Sequence, residues 1–391
     1  MTKNLLAIAF TMVFLGSLVA QEKSMNFINQ DIATAKAKAK ESGKLIFVDA
    51  YATWCGPCKW MSANIFTNDT VSQFFNQNFI SLKLDMEKGE GIEFKKSYGI
   101  KYFPTLLFID AEGNEMHRSV GASKKVEDYI DLGLTALNPI KRIASYHSSF
   151  KSGEKSAAFL NEYLELLDES ALPTEEVIKS YYEGLSEDEL LSENAWSIIN
   201  KYDKSVDSKG MLNVLNKRED YSKAFGQDKV DEKLYKNYLT HMYAKVYSKE
   251  FSMKEMELTM IKIKKLNVPY WEKIILLGDL AHLSKEKKYK DYCEVAVEDI
   301  GDYFNEDPNA LNEFAWNVFE WSKKKPQLEV ALGWSKLSIE LDENPMYIDT
   351  YANLLYKLGK KDEARNQQQK AIDMLEKNGE DATDYKATLD G

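Results

Sequence analysis

Apolar positions between residues 25 and 137 switch between two periods. "DIATAKAKAKESGK" (31–44) places Ile32, Ala35 and Ala39 on one narrow stripe, with Asp31 able to cap a helix and Gly43 able to end it. "KLIFVDAY" (44–51) is a short apolar run of the length expected for a buried strand. The stretch "KWMSANIF" (59–66) suits a helix, and "NFISLKLDM" (78–86) and "TLLFID" (105–110) read as two further strands. "EMHRSVGA" (115–122) reads as a fourth strand, and "DAEGNE" before it carries the turn chemistry of a hairpin. "KKVEDYIDLGLTAL" (124–137) closes the series as an amphipathic helix. Helix and strand thus alternate and then finish in a hairpin and a helix, which predicts an α/β domain with a mixed sheet flanked by helices.

After Asn138-Pro139 the strand patterning stops, and residues 140–391 keep helical spacing with proline confined to expected loops. The last ninety residues or so carry a repeat: "QLEVALGWSKLSIELDENP" is followed by "YIDTYANLLYKLGKKDEARNQQQKAIDM". Ala331 and Ala364 are spaced by about one tetratricopeptide period of roughly 34 residues. Gly359, Ala364 and Ala371 fall where two antiparallel helices need small residues to approach, and "FAWNVFEW" (314–321) supplies the first helix of the earlier unit. Trp316, Trp321, Trp334 and Tyr351 are expected to pack between helices. "NAWSII" (194–199) faintly echoes "FAWNVF", so the intervening stretch reads as degenerate helical hairpins or as an unrelated helical domain. The expected organisation is a leader at 1–20, an α/β domain at 21–138, a helical region at 139–300 and tetratricopeptide-like repeats at 301–391. The fold class is therefore α/β followed by an all-α helical-repeat region.

The chain of 391 residues is too long for one ordinary core, and 44% hydrophobic with 29% charged residues describes a well-folded globular protein. A formal net charge of −11 argues against a nucleic-acid binder, which needs a basic face. Lys3, the apolar run "LLAIAFTMVFLG" and "SLVA" before Gln21 form a secretory signal pattern, and an uncleaved N-terminal anchor is its rival. The expectation is an exported chain, soluble after cleavage, in a bacterial periplasm.

Export changes the reading of the cysteines. Only Cys55, Cys58 and Cys293 are present, too few for a disulfide scaffold in an oxidising compartment. Cys55 and Cys58 sit in "WCGPCK", at the expected junction of strand and helix. There the first thiol faces unpaired helix N–H groups and the positive end of the dipole, which favour the reactive thiolate. Pro57 suits the first helical turn. Cys55, taken as the more exposed, would attack a substrate disulfide, and Cys58 would resolve the mixed disulfide. A purely structural bridge would close too small a loop to stabilise much. Zinc would need about four ligands, and His117, His147, His241 and His282 are scattered, so no metal is expected. Cys293, in "DYCEVAVEDI", shares a helical face with Ala296, Val297 and Ile300 and reads as a buried thiol, its rival being a mixed-disulfide or dimer role.

"VDAYATWCGPCKWM" resembles the active-site segment of the thioredoxin superfamily over about residues 25–137. The resemblance implies that Asp49, six positions before Cys55, is a buried acid that exchanges a proton with Cys58. It also implies that Pro104 in "YFPT" is a cis-proline facing the disulfide and that Trp54, Gly56, Pro57, Phe103 and Pro104 contact substrate. Thioredoxins carry a lysine beside the acid; alignment on "LKLD" places Ser81 there, with Lys83 two residues on and on the same strand face. Phe103 is bulkier than is usual before that proline, which should reshape the groove.

Together these readings predict an exported thiol–disulfide oxidoreductase acting on protein disulfides. Its only redox group would be the Cys55–Cys58 couple, with no other cofactor. By analogy with the Gly-Pro dipeptide of thioredoxin the direction is reductase or isomerase. A membrane electron relay or a thiol donor protein would recharge it, and the helical repeats would dock a partner. The alternative is an interaction scaffold in which the thioredoxin-like domain is a binding module.

Overall fold

The computed structural model describes residues 24–390, so the leader expected at 1–20 lies outside the described residues. The chain divides into two compact units, one running to Glu189 with Lys201–Asp203, the other made of Leu190–Asn200 and the chain from Lys204.

The first unit opens with β1 (Phe27–Asn29), α1 (Ile32–Ser42), β2 (Leu45–Tyr51), α2 (Gly56–Asn64), α3 (Asp69–Asn78) and β3 (Phe79–Asp85). It continues with α4 (Glu90–Ser97), β4 (Thr105–Ile109), β5 (Glu115–Val120) and α5 (Val126–Leu137). The sheet order is β1-β3-β2-β4-β5, with β3 parallel to both β1 and β2, and with β4 antiparallel to β2 and β5. Local chemistry sets the ends of the elements. Asp31 accepts from the Thr34 amide at 2.8 Å to start α1, and Gly43 takes the left-handed conformation that ends it. Asn68 caps α3 through the amides of Thr70 and Val71.

The period of two along each strand separates two cores. Phe47 of β2 and Leu106 and Phe108 of β4 pack with Met61, Phe75 and Tyr129 from α2, α3 and α5. Ile46, Val48 and Ala50 pack with Ala35, Ala39 and Phe94 from α1 and α4 on the other side. The first core is an aromatic stack: the Phe47 ring lies 4.7 Å from Phe75 and 5.3 Å from Phe108. Each such fully buried ring contributes roughly 1.5–3 kcal/mol, and Ile46–Ala50 of β2 and the whole of β4 are buried. α4 crosses so close to the end of β3 that a Cβ on Gly91 would meet the Asp85 carbonyl oxygen at 1.9 Å.

The four strands and three helices predicted here all form, and three further elements accompany them. β1 has only three residues and exists through its pairing with β3; α3 turns Val71, Ser72 and Phe75 inward, and α4 is short and mostly polar.

Beyond α5 the described chain is helical. The first unit adds helices Ile143–Lys151, Ala157–Glu169 and Glu175–Glu183. In the second unit, helices Pro308–Trp321 and Lys325–Leu341 form one pair and Pro345–Lys357 and Lys361–Lys377 another. One continuous core runs from Cys293, Ala296 and Ile300 through Leu311, Ala315 and Val318 to Ala331, Trp334 and Leu354. That is the stacking by which helix pairs, unable to bury a face alone, share one. Ala364 and Ala371 are buried as expected. Gly359 has another reason to be glycine: its φ is 85° at a turn, and a Cβ there would meet nothing within 4 Å. Trp334 is buried, whereas Trp316 is 36% exposed and meets Phe319 of its own helix.

Candidate active site

β2 runs out at Tyr51, and after four residues the chain enters α2 at Gly56. The Cys55 amide donates to the Ala52 carbonyl at 3.1 Å, which closes that turn. Cys55 is the N-cap of α2, its Sγ accepting from the Cys58 amide at 3.1 Å, and Pro57 lies in the first turn. The two cysteines are joined as a disulfide, with Cα atoms 5.3 Å apart. Sulfur at this helix N-terminus sits where the amide dipoles favour negative charge, the condition for a stabilised thiolate after reduction.

The disulfide is covered. Cys55 is 3% exposed and Cys58 2%, so Cys55 is not the distinctly more exposed partner that the sequence reading expects. The reason is a roof: Tyr51 and Phe103 pack onto the cluster of Ala52, Cys55 and Cys58. Around it lie exposed groups. Gly56 and Pro57 face outward, and Trp54 is 67% exposed. The Trp54 indole N–H donates to Glu87 Oε2 at 3.0 Å, and its ring meets Phe103 edge-on at 6.0 Å. Lys95 Nζ lies 5.1 Å from the Phe103 ring centre. The Phe103–Pro104 peptide is cis. Pro104 is buried and its carbonyl accepts from the Gly121 amide at 2.9 Å, while the Thr105 hydroxyl donates to the Tyr102 carbonyl at 2.7 Å. These bonds tie the loop before β4 in place and with it the Phe103 ring.

Asp49 lies on the same face of β2 as Phe47, fully buried. Its Oδ2 is 3.1 Å from Lys83 Nζ, whose ammonium also donates to Ser62 Oγ of α2. Oδ1 has no hydrogen-bond partner. Burial raises the Asp49 carboxyl above the usual carboxylate range, and the Lys83 charge opposes that rise. The register explains why the lysine is Lys83: parallel pairing sets Asp49 opposite Lys83 and Phe47 opposite Ser81. Ser81, given the lysine's place in the alignment on "LKLD", is a buried residue whose hydroxyl has no partner. Lys83 Nζ also lies over the rings of Phe27, Tyr51 and Phe66, 5.1–5.6 Å from their centres.

Glu87, Ser62 and Lys95 belong to this site although no sequence motif points to them. Glu87 and Lys95 reach it from beyond β3 and from α4, whose positions the sheet order sets, and Ser62 lies on α2 itself, where Lys83 of β3 meets it. Among the described residues no group of three or more His, Cys, Asp and Glu side chains could hold a metal ion. Cys293 is buried in the second unit beside Ala296 and Ile300, and burial pushes its thiol up to about 11. None of the described helices is long and apolar enough to cross a membrane.

Residues 27–111 match the family model described as thioredoxin-like. Thioredoxin H4 of Arabidopsis thaliana is 41% identical over 88 residues, 22% of this chain and 69% of that protein. The TPR repeat-containing thioredoxin TDX of the same plant is 35% identical over 91 residues, 23% of this chain and 22% of its own length. The thiol:disulfide interchange protein DsbD of Colwellia psychrerythraea is 34% identical over 95 residues, covering 23% of this chain and 16% of that protein. All three likenesses are confined to about a quarter of this chain.

Proposed function

Since the chain belongs to the thioredoxin superfamily and is a thioredoxin-like thiol–disulfide oxidoreductase with a helical C-terminal region, we propose that it acts, after export, as a reductase or isomerase of protein disulfides. The observation that carries this reading is the Cys55–Cys58 disulfide at the N-terminus of α2, roofed by Phe103 ahead of cis-Pro104. The reduced chain begins the cycle. The Cys55 thiolate attacks one sulfur of a substrate disulfide, a mixed disulfide forms, and the other substrate sulfur leaves as a thiolate. Cys58 then attacks Cys55 Sγ, the chain's own disulfide closes, and the second substrate thiolate departs. Two electrons have passed to the substrate. A thiol donor protein or a membrane electron relay returns them by the reverse exchange.

Asp49 takes up the proton that Cys58 must lose before it attacks, a role that its raised affinity for protons supports. Trp54, Gly56, Pro57, Phe103 and Pro104 form the face on which substrate backbone lies. Phe103 shifts from its place on the cysteine cluster to admit the substrate, because Cys55 is only 3% exposed beneath Phe103 and Tyr51. The signal pattern at 1–20 supports a periplasmic location, with a soluble chain once the leader is removed. The net charge of −11 supports protein rather than nucleic-acid partners. The helical region docks a partner, raising the local concentration of its disulfides at Cys55.

The reduction potential of the Cys55–Cys58 couple in glutathione buffers tests the direction. A value near about −270 mV supports a reductase, and one near about −120 mV makes the chain an oxidant. A second reading, in which the α/β domain only anchors an interaction scaffold, is favoured by the size of the helical part. Under it the Cys55→Ser variant keeps its cellular role; under the redox reading that variant loses it.

A further inference from the structure

We propose that a groove among helices Gln227–Val246, Trp271–Lys285 and Pro308–Trp321 takes the arginine side chain of a polypeptide partner. The inference rests on the reading of the helical half as a docking surface and names what that surface recognises. The groove, of about 420 Å³, lies within the second unit. Tyr243 and Tyr247, one helical turn apart with rings 6.4 Å from each other, line one part of it. Glu313 and Asn317, also one turn apart, line another, and Tyr292 and Phe314 lie beneath them. Asn317 Nδ2 donates to the Tyr292 hydroxyl at 3.1 Å, which fixes that ring beside the carboxylate.

Glu313 decides the chemistry. It is exposed and, among the described residues, has no ion pair and no hydrogen bond to its side chain. Its charge adds to burial in holding the Tyr243 and Tyr292 phenols above their usual range, so both rings stay neutral. A lone carboxylate among neutral phenol rings attracts a cation twice, by charge and by the ring quadrupoles. A planar guanidinium suits that combination, because it can pair with the carboxylate and stack on a ring.

Of the chain's own lysines nearby, Lys273 reaches the groove's edge, its Nζ 4.0 Å from the ring centre of Phe304, which also lines the groove, while Lys285 donates to the Val246 carbonyl at 2.7 Å and lies over Phe251. None of the described lysines lies over Tyr243, Tyr247 or Tyr292. An apolar occupant would strip water from Glu313 without repaying it, which disfavours that alternative. The net charge of −11 further favours approach by a basic segment.

The test uses the oxidised full-length chain and two peptides, Ac-Gly-Gly-Arg-Gly-Gly-amide and the same sequence with neutral citrulline for arginine. Calorimetric titration should give an affinity roughly tenfold higher for the arginine peptide. Glu313→Gln should remove that preference, and Tyr243→Leu should weaken binding of the arginine peptide; thermal melts of both variants confirm that they are folded. Equal binding of the two peptides, or a preference that survives Glu313→Gln, overturns the arginine inference while leaving the helical half a docking surface. If neither peptide binds at up to about 10 mM, both readings fail. Arginine amide binding as tightly as the peptide would replace the polypeptide by a small cation and overturn the assignment.

Discussion

Asp49→Asn is expected to stabilise the chain at neutral pH and to lose that advantage in acid. Two large effects meet at this carboxylate. Across the 3.1 Å to Lys83 Nζ, at an effective dielectric constant of about 20, the attraction is about 5 kcal/mol. Against it stands complete burial, whose idealised cost is of order 20 kcal/mol for an ion and several kcal/mol after relaxation. Oδ1 has no hydrogen-bond partner, and the Lys83 ammonium is shared with Ser62 and is 21% exposed, so compensation is incomplete and burial wins. The carboxyl is raised above its ordinary 3.8.

Between 3.8 and that raised value the folded chain holds a proton that the unfolded chain has released. Wild-type stability therefore falls as pH rises through this window, and stays lower above it, by about 1.4 kcal/mol for each unit of elevation. Asparagine at this position has nothing to titrate. Urea titrations of both oxidised proteins between about pH 3.5 and about pH 8.5, followed by tryptophan fluorescence, should show the difference grow with pH and then level off. In a Lys83→Met background the growth should be larger, with about 5 kcal/mol as its ceiling. A difference that is flat, or that favours wild type as pH rises, would mean that Lys83 outweighs burial and would refute the reasoning.

His117 offers the opposite sign. It is buried with its ring nitrogen accepting from the Ile143 amide at 3.4 Å, and burial lowers it from 6.5 to about 4. The unfolded chain thus binds a proton there that the folded chain refuses, and stability should fall by about 3 kcal/mol as pH drops from 6.5 to about 4. Comparison with His117→Gln isolates that loss; an identical acid limb in both proteins would count against it. Cys293, with its thiol pushed up to about 11, should stay unlabelled when the reduced native chain meets iodoacetamide at about pH 8, where about one thiol in 1000 is ionised. Mass spectrometry should find Cys293 unlabelled in the native chain, its label appearing only in denaturant; rapid native labelling of Cys293 would contradict its burial.

What the sequence by itself determined is what local periodicity and short motifs can carry. The buried strand 45–51, the α1 caps at Asp31 and Gly43, the hairpin turn at 110–115 and the helix opened by Cys55-Gly-Pro-Cys58 depend on neighbours a few residues away. The likeness of "VDAYATWCGPCKWM" and "YFPT" to a known family brought Asp49 and Pro104 into view in the same way. Elements and groups that answer to distant partners were not legible. β1 is three residues that become a strand only beside β3.

Tertiary structure alone decided the rest of the candidate site. Lys83 rather than Ser81 meets Asp49, because a shift of register by two keeps the face but changes the partner, and strand patterning fixes only the face. Glu87 holds the Trp54 indole across 33 positions of sequence. Phe103 covers Cys55, which its role as the attacking thiol would leave exposed, since the loop before β4 is laid over α2 by the order of the sheet. Periodicity encodes which side of an element faces inward; which groups meet there depends on how separate elements are registered and stacked, and that follows from the packing of the whole chain.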